Sequence, residues 1–256
     1  MRVSLIHMKT RDSMEEISQA VRSGIHEAAK LKPNFIALPE FFSVPGFIEK
    51  FSSAEEIFEV TYALTIEFLK EVSAEFPEIY IVGGTLVEKY QNAFFNTCTI
   101  WRDAKILGRY RKRNLVNIEA KLGISKGDSP LVLSTEFGKI GLLICADIFD
   151  KEAVEQTLSL GAEVIFLPVA SLSTHPDVKG HPLSEKIATE NGVFIVKVGN
   201  VRSDARGGRS AVIAPWGVIK EAPLSPMDSV LTVDLDMQKL MVYRRRGVTG
   251  DFSTHQ

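Results

Sequence analysis

The sequence predicts an α/β fold in which strands alternate with helices and also pair as hairpins. Short apolar runs such as FIAL (35–38), GLLIC (141–145) and VIFLPV (164–169) are typical of buried strands. Segments with apolar residues at helical spacing separate several of these runs, and turn-sized links join others. We therefore expect sheets that are covered by helices on one face and by further apolar structure on the other.

Length and composition favour one globular domain over residues 1–256. The chain has 256 residues, of which 45% are hydrophobic and 24% charged, so it can bury a large core without disulfides or metals. The formal net charge of −2 gives no attraction to nucleic acid or to an anionic membrane.

In the first half of the chain, capping signals mark two helices between strands. Ser13 precedes Glu16 by three residues and Ser53 precedes Glu56 by three, which is the spacing of a capping box. We expect strands at 2–8, 35–38, 79–87, 93–101 and 105–111, and helices at 13–31 and 53–75.

The second half of the chain continues the same mixture. We expect strands at 131–135, 139–145, 163–169, 193–201, 210–215, 218–222 and 229–235, helices at 150–160 and 182–191, a short helix at 236–243 and a polar tail at 244–256. The long irregular stretches are 112–129, 170–181 and 202–209, and long loops in compact domains are often functional.

Three reactive side chains are predicted at strand ends. Glu40 follows the strand 35–38, Lys112 ends the strand 105–111 and Cys145 ends the strand 139–145. Ligands of open α/β sheets bind outside the carboxyl ends of strands, so the three positions suit a site. Taken singly, each residue also fits a structural role, as a core cysteine, a loop carboxylate or part of a solvated basic run.

The segments around these residues resemble a known family. FIALPEFF, GRYRKRNLV and GKIGLLICAD resemble, in this order, the glutamate, lysine and cysteine segments of the nitrilase superfamily of carbon–nitrogen hydrolases. Further similar segments are LGISKGDSP, GAEVIFLPVA, ENGVFIVKVGNV and GRSAVIAPWG. The resemblance covers essentially the whole chain.

The resemblance implies a four-layer α-β-β-α sandwich with a Glu-Lys-Cys triad and no cofactor or metal. Cys145 would be the nucleophile, since the thiolate is the reactive form of cysteine, and Glu40 the general base. Lys112 would stabilise the oxyanion, together with a backbone N–H just past Cys145. Glu119 would orient Lys112, although a solvated loop carboxylate is an equal alternative for it.

Some positions depart from the best-known members of the family. Ala146 replaces the aromatic residue that often follows the cysteine, which would widen the acyl pocket, and the C-W-E pattern of true nitrilases is absent. An amidase is therefore favoured over a nitrile hydrolase. Ser171 follows the strand 163–169 where members often contact substrate, so it is a second candidate for substrate binding.

Other kinds of site remain as alternatives. His175 and His181 are candidate metal ligands, but no cysteine or carboxylate completes a ligand pattern on a helix. A Cys-His protease would need a histidine such as His175 beside Cys145. The basic runs at 109–113 and 244–246 are interpreted as solvated faces, because no stacking aromatic residues accompany them.

The predicted function is hydrolysis of a non-peptide carbon–nitrogen bond in a small linear amide or N-carbamoyl compound through a cysteine thioester. The alternatives are a non-catalytic binding or scaffold protein of the same fold, a nitrile hydrolase and an acyl-transfer variant. The two cysteines, the lack of a signal-peptide pattern and the lack of a long apolar span predict a cytoplasmic protein without membrane or nucleic-acid partners. The resemblance implies a homodimer or higher homo-oligomer.

Overall fold

The computed structural model describes residues 1–170, 180–202, 209–223 and 225–249. The helices are α1 (Met14–Ala29), α2 (Ala54–Glu75), α3 (Asn117–Lys121), α4 (Lys151–Ser159), α5 (Pro182–Asn191) and α6 (Met237–Thr249). The strands are β1 (Arg2–Lys9), β2 (Phe35–Ala37), β3 (Tyr80–Tyr90), β4 (Ala93–Arg102), β5 (Lys105–Arg111), β6 (Ile124–Ser125), β7 (Val132–Thr135), β8 (Gly138–Leu142), β9 (Val164–Val169), β10 (Phe194–Val201), β11 (Ala211–Ala214), β12 (Gly217–Glu221) and β13 (Ser229–Asp234). Two 3₁₀ turns lie at Ile48–Lys50 and Cys145–Phe149.

The strands form two half-sheets that meet at β1. The hydrogen-bonded order is β5-β4-β3-β2-β1-β10-β9-β8-β7, with β13 on β1, β6 on β4, and β11 and β12 following β10. The link between β1 and β10 is short, since only Met8 with Asn200 and Lys9 with Val201 are paired. The remainder of β1 pairs with β2 and β13 and not with β10.

The two half-sheets pack face to face and carry helices on their outer faces. Ile6, Ile36 and Ile81 point from the first half-sheet into a core shared with α1 and α2. Alternate residues point the other way, and the ring of Phe35 meets that of Phe166 in β9 at 5.4 Å between centroids. Helix α4 lies against β8, and α5 against β10 and β11. The predicted α-β-β-α sandwich is confirmed.

Most predicted elements are confirmed, but the end of the chain differs from the expectation. The prediction of a short helix at 236–243 followed by a polar tail is wrong for residues 244–249, because α6 continues to Thr249. Arg244 anchors this extension by donating to the carbonyl oxygens of Gly192 and Ala162, both at 2.6 Å. The Arg244 side chain therefore binds the carbonyl of the C-cap residue of α5 and that of the link between α4 and β9, and it does not face only solvent.

Two local predictions near the predicted site are also corrected. Cys145 does not end a strand: β8 stops at Leu142 and Cys145 begins a 3₁₀ turn. The stretch 112–129 is not wholly irregular, because it contains α3 and β6. Both corrections concern short elements, for which residue spacing carries little signal.

Within the described residues, no helix is long and apolar enough to cross a membrane.

Candidate active site

The loop after β2 carries Glu40 and is hydrogen-bonded to both half-sheets. The Phe41 N–H donates to Thr85 Oγ1 at 2.9 Å, and the Thr85 N–H donates to the Pro39 carbonyl at 3.3 Å. From the other half-sheet, Asn200 Nδ2 donates to the Glu40 carbonyl at 3.0 Å. Glu40 is fully buried, so bulk water does not solvate the charge of its carboxylate.

A glycine in β3 allows this loop to approach the sheet. Gly84 has a φ of +57°, and a Cβ built there would lie 2.3 Å from the Pro39 carbonyl oxygen. A larger residue would therefore be strained by its backbone conformation and would collide with the segment that carries Glu40. The register of β3 and β4 shifts between Val82 and Thr85, which is where this glycine lies.

Lys112 lies directly after β5 and is enclosed by carboxylates. Its N–H donates to the Asn96 carbonyl at 2.8 Å, which fixes the backbone at the strand end. The side-chain Nζ of Lys112 donates to Glu40 Oε1 at 2.8 Å and to Glu119 Oε2 at 2.7 Å, and the side chains of all three residues are 0% exposed. Glu119 lies in helix α3, and its Oε2 also accepts from the Val116 backbone N–H at 2.9 Å.

Cys145 occupies a tight turn at the start of the second 3₁₀ segment. Its φ of 46° lies in the left-handed region, which non-glycine residues rarely adopt. Such a conformation costs about 1–2 kcal/mol and persists only where the surroundings enforce it. As a whole residue Cys145 is partly exposed, although its thiol is buried, whereas Cys98 in β4 is fully buried in the core as predicted.

The buried carboxylate of Asp147 enforces this turn and joins it to the lysine loop. Asp147 Oδ2 accepts from the Ile144 N–H at 2.9 Å and from Tyr110 OH at 2.8 Å. Asp147 Oδ1 accepts from the N–H groups of Arg113 at 3.0 Å and Asn114 at 2.7 Å. One side chain therefore bonds to residues on both sides of Lys112 and to the residue before Cys145.

The ionisable groups of the site strongly shift one another's pKa values. Burial raises the pKa of the Glu40 carboxyl above its ordinary value despite the charge of Lys112, and Glu119 adds to the rise. Burial alone would lower the pKa of Lys112, but the carboxylates of Glu40 and Glu119, and the Cys145 sulfur once it is ionised, outweigh this effect, so the pKa is raised and Lys112 stays charged.

Burial raises the pKa of the Cys145 thiol to about 12, and the Glu40 carboxylate beside it adds to the rise. The Lys112 ammonium and the backbone N–H of Ala170 oppose this rise by stabilising the thiolate. A thiol with this pKa is protonated at neutral pH, so attack by sulfur requires a base that removes the proton as the bond forms. The carboxylate of Glu40 lies where such a base is needed.

The remaining predicted site residues are placed as follows. Ala146 is buried next to Cys145, and its carbonyl accepts from Asn114 Nδ2 at 2.8 Å. Ser171 and His175 lie outside the described residues. His181 lies 3.4 Å from Glu221, and the described part of the chain contains no group of three or more His, Cys, Asp or Glu side chains arranged to hold a metal ion.

Asn96 and Asp147 are polar residues of the site that the sequence analysis did not single out. Asn96 stands within the apolar strand AFFNTCTIW, and Asp147 is the aspartate of GKIGLLICAD. A polar side chain inside a buried strand needs a hydrogen-bond partner, and that was the available signal for Asn96.

The family of enzymes to which this fold and this site belong is shown by the sequence. The sequence pattern of the carbon-nitrogen hydrolase family matches residues 2–245. The chain belongs to the carbon–nitrogen hydrolase family, and its reaction class is hydrolysis of a carbon–nitrogen bond.

Individual relatives are similar over nearly the full length. The mouse protein Omega-amidase NIT2 is 28% identical over an alignment of 260 positions that covers 96% of this chain and 92% of the mouse protein. Nitrilase homolog 2 of Dictyostelium discoideum is 28% identical over 92% of this chain and 75% of its own length.

Solved structures of two family members have the same fold. Nit3 of Saccharomyces cerevisiae superposes with a TM-score of 0.81 at 22% identity, over 100% of this chain and 96% of that one. An amidase from Nesterenkonia sp. AN1 superposes with a TM-score of 0.77 at 20% identity, over 98% of this chain and 99% of that one.

Proposed function

We propose that this protein hydrolyses a small linear amide or N-carbamoyl compound through a thioester on Cys145. The observation that carries the proposal is the contact of one buried ammonium, Lys112, with two buried carboxylates, Glu40 and Glu119, beside a thiol in a strained turn. This group supplies a base, a cation and a nucleophile at one place.

Acylation begins with transfer of the Cys145 proton to Glu40 as the sulfur attacks the substrate carbonyl carbon. The carbonyl π electrons move to oxygen, and the resulting oxyanion is stabilised by the charge of Lys112 and by the backbone N–H of Ala146. When the oxyanion collapses, the carbon–nitrogen bond breaks and Glu40 returns its proton to the leaving nitrogen. Ammonia or an amine departs and the acyl group remains on sulfur.

Deacylation repeats the same proton transfers with water. Glu40 removes a proton from a water molecule that attacks the thioester carbon, and Lys112 again stabilises the oxyanion. Collapse breaks the carbon–sulfur bond, the proton on Glu40 passes to sulfur, and a carboxylic acid is released. Glu119 holds Lys112 in place in both steps through its 2.7 Å bond to Nζ.

An amide is the preferred substrate class within this reaction type. The C-W-E pattern of nitrilases is absent, and the similar mouse protein is named an omega-amidase. Ala146 and Ser171 are the residues that we propose to line the acyl pocket. The proposed chemistry draws every function from side chains and backbone N–H groups, so no metal or cofactor takes part.

We further propose a cytoplasmic protein with one catalytic domain over residues 1–256 that assembles as a homodimer or higher homo-oligomer. The two cysteines are both unpaired, which suits a reducing compartment. The substrate is a small molecule, with no nucleic-acid or membrane partner.

A panel of linear amides, N-carbamoyl amino acids and nitriles, assayed for release of ammonia or amine in the presence of EDTA, tests the proposal. We expect turnover of at least one amide or carbamoyl compound by the wild type, none by Cys145→Ala, and retained turnover by Cys98→Ala, the matched control at the other thiol. Turnover that depends on added zinc, or that survives in Cys145→Ala, would contradict the proposal. Binding of the panel compounds without any turnover would favour a scaffold protein.

A further inference from the structure

The buried amide of Asn96 contacts both carboxylates of the site. Asn96 lies in β4 opposite Val87 and is 0% exposed. Its Nδ2 lies 2.9 Å from Glu40 Oε1 and 2.7 Å from Glu119 Oε1. A primary amide nitrogen carries two hydrogens, so it can donate to both carboxylates at once.

These contacts close a ring of alternating donors and acceptors. Lys112 Nζ bonds to the same Oε1 atom of Glu40 and to the second oxygen of Glu119. Two carboxylates and one ammonium leave the ionised cluster with an excess negative charge in a buried place, which is costly unless further donors face it. Asn96 supplies such donors without adding charge.

The ring distinguishes the two oxygens of Glu40. Oε1 accepts from both Asn96 and Lys112, whereas Oε2 is buried and has no hydrogen-bond donor within the described part of the chain. A proton is accepted most readily by an oxygen whose lone pairs are not already engaged. Oε2 is therefore the oxygen available to the Cys145 thiol.

We propose that Asn96 is a positioning residue: its amide holds Glu40 and Glu119 around Lys112 and so reserves Glu40 Oε2 for the proton of Cys145. The inference rests on the proposed function of Glu40 as the base. Asn96 touches neither the nucleophile nor the reacting carbon, and acts through the two carboxylates.

The proposal predicts a change in protonation that loss of packing alone does not cause. The groups that face the Glu40 side chain and loop are Lys112 after β5, Glu119 in α3, Cys145 in its turn and Asn200 in β10. Removing the Asn96 donor destabilises the ionised form of Glu40 and raises its pKa further. Reactions of Cys145 that need ionised Glu40 then require a higher pH.

The test is the pH dependence of Cys145 alkylation by iodoacetamide, read by peptide mapping, in wild type, Asn96→Ala and Asn96→Asp. Truncation of the side chain leaves the bond from the Lys112 N–H to the Asn96 carbonyl in place. We expect the acid limb of the alkylation rate to move up by about one pH unit in Asn96→Ala. With an amide substrate, kcat should fall by at least tenfold with a smaller change in KM.

Thr99→Val is the matched control in the same strand. Thr99 is also buried, and its Oγ1 accepts from Trp101 Nε1 at 2.8 Å without touching the carboxylates. It should lower stability to urea while leaving the acid limb unchanged. Asn96→Asp keeps the side-chain size, so it carries the test if Asn96→Ala does not fold, and its acid limb should also move up.

The positioning role would be overturned if the acid limb of the Cys145 alkylation rate did not move in the Asn96 variants. It would also be overturned if this limb moved equally in Thr99→Val. Alkylation needs no substrate, so this outcome is separate from that of the amide panel. A shifted limb in a protein that hydrolyses no amide would support the role of Asn96 and reject the proposed function.

Discussion

At the scale of single residues, the site depends on charges that are kept buried and in contact. Lys112 is 0% exposed between Glu40 and Glu119, and truncating one partner of such a pair typically costs about 3–5 kcal/mol, because it leaves an uncompensated charge. The raised pKa of Glu40 and the raised pKa of Lys112 follow from this enclosure. Burial thus sets the pH range in which Glu40 is ionised while Lys112 is protonated.

This arrangement predicts the pH dependence of kcat/KM. Glu40 acts as a base only when ionised, so activity is lost as the pH falls through its raised pKa, above the range of an exposed glutamate. Because the pKa of Lys112 is raised, loss of its proton should not limit activity at the pH where exposed lysines titrate. Stopped-time assays across the pH range measure both limbs, and an acid limb in the ordinary range of glutamate would contradict the prediction.

Glu40, Lys112 and Cys145 could be singled out from the sequence because each stands in a distinctive local segment, and the structure brings Lys112 into contact with Glu40. Glu119 was assigned through the resemblance alone, since its chemistry depends on a contact with Lys112 that local sequence does not reveal. Asn96 and Asp147 were missed for the same reason. Their importance lies in partners that are 23 or more residues away along the chain.

At the scale of elements, short connections place the site more than long helices or strands do. Asp147, in the 3₁₀ turn that begins at Cys145, bonds to Tyr110 at the end of β5 and to the backbone of the loop after Lys112. The carboxylate thereby fixes the distance between the cysteine turn and the lysine loop. A displacement of about 1 Å between catalytic groups can cost about 100-fold in rate.

Replacing Asp147 by Asn should therefore affect both stability and rate. Four donors now face the Asp147 carboxylate, two at each oxygen. In asparagine an NH₂ group replaces one of these oxygens, so the two donors that face it would be buried without an acceptor. We expect the free energy of unfolding in urea to fall by about 3 kcal/mol and kcat to fall by at least about tenfold.

Ser53→Ala provides the control for the Asp147 variant. Ser53 caps α2 far along the chain by accepting from the Glu56 N–H at 3.1 Å, and its loss should cost about 1 kcal/mol. The rate of this control should remain that of wild type. If Asp147→Asn lost stability but kept its rate, the turn would not depend on Asp147 for catalytic geometry.

The long elements were predicted well because their signals are local. The spacing of apolar residues and the capping serines Ser13 and Ser53 marked α1 and α2, and both serines accept bonds from the expected N–H groups. The end of β8 was placed too late because LLIC continues an apolar pattern through the turn. Helix α3 has only five residues, which is too short for helical periodicity to appear.

At the scale of the whole molecule, the site lies where the two half-sheets join. Asn200 pairs with Met8 in the short β1–β10 link and also donates to the Glu40 carbonyl. The inter-sheet core, with Phe35 against Phe166, holds the two half-sheets at a fixed separation. The core thus keeps Glu40 and Lys112 of the first half-sheet at a fixed position relative to Cys145 of the second.

Truncation of this core should destabilise the molecule strongly. Phe166 is 0% exposed, so Phe166→Ala removes a buried ring and should lower the free energy of unfolding by about 3–5 kcal/mol. Phe149, which is 75% exposed, offers a matched control, since Phe149→Ala should change stability by no more than about 0.5 kcal/mol. Urea denaturation compares the two, and equal effects would contradict the assignment of the inter-sheet core.

The layer architecture was predictable only in part from the residues. Continuous apolar strands indicate sheets covered on both faces, but they do not reveal which strands are neighbours. The pairing of β1 with β10 joins residues 192 apart, Met8 and Asn200, and only the resemblance to a known family indicated the four layers.

The most direct test of a thioester mechanism at Cys145 is intact-protein mass spectrometry during turnover of a slowly hydrolysed amide or ester. The wild type should gain transiently the mass of the acyl group, located on Cys145 by peptide mapping, while Cys145→Ala gains none. Glu40→Gln should form and lose the adduct more slowly, and Lys112→Ala should acylate about 100-fold more slowly or worse. Turnover by the wild type without any adduct on Cys145, or an adduct that persists in Cys145→Ala, would contradict a thioester mechanism at this site.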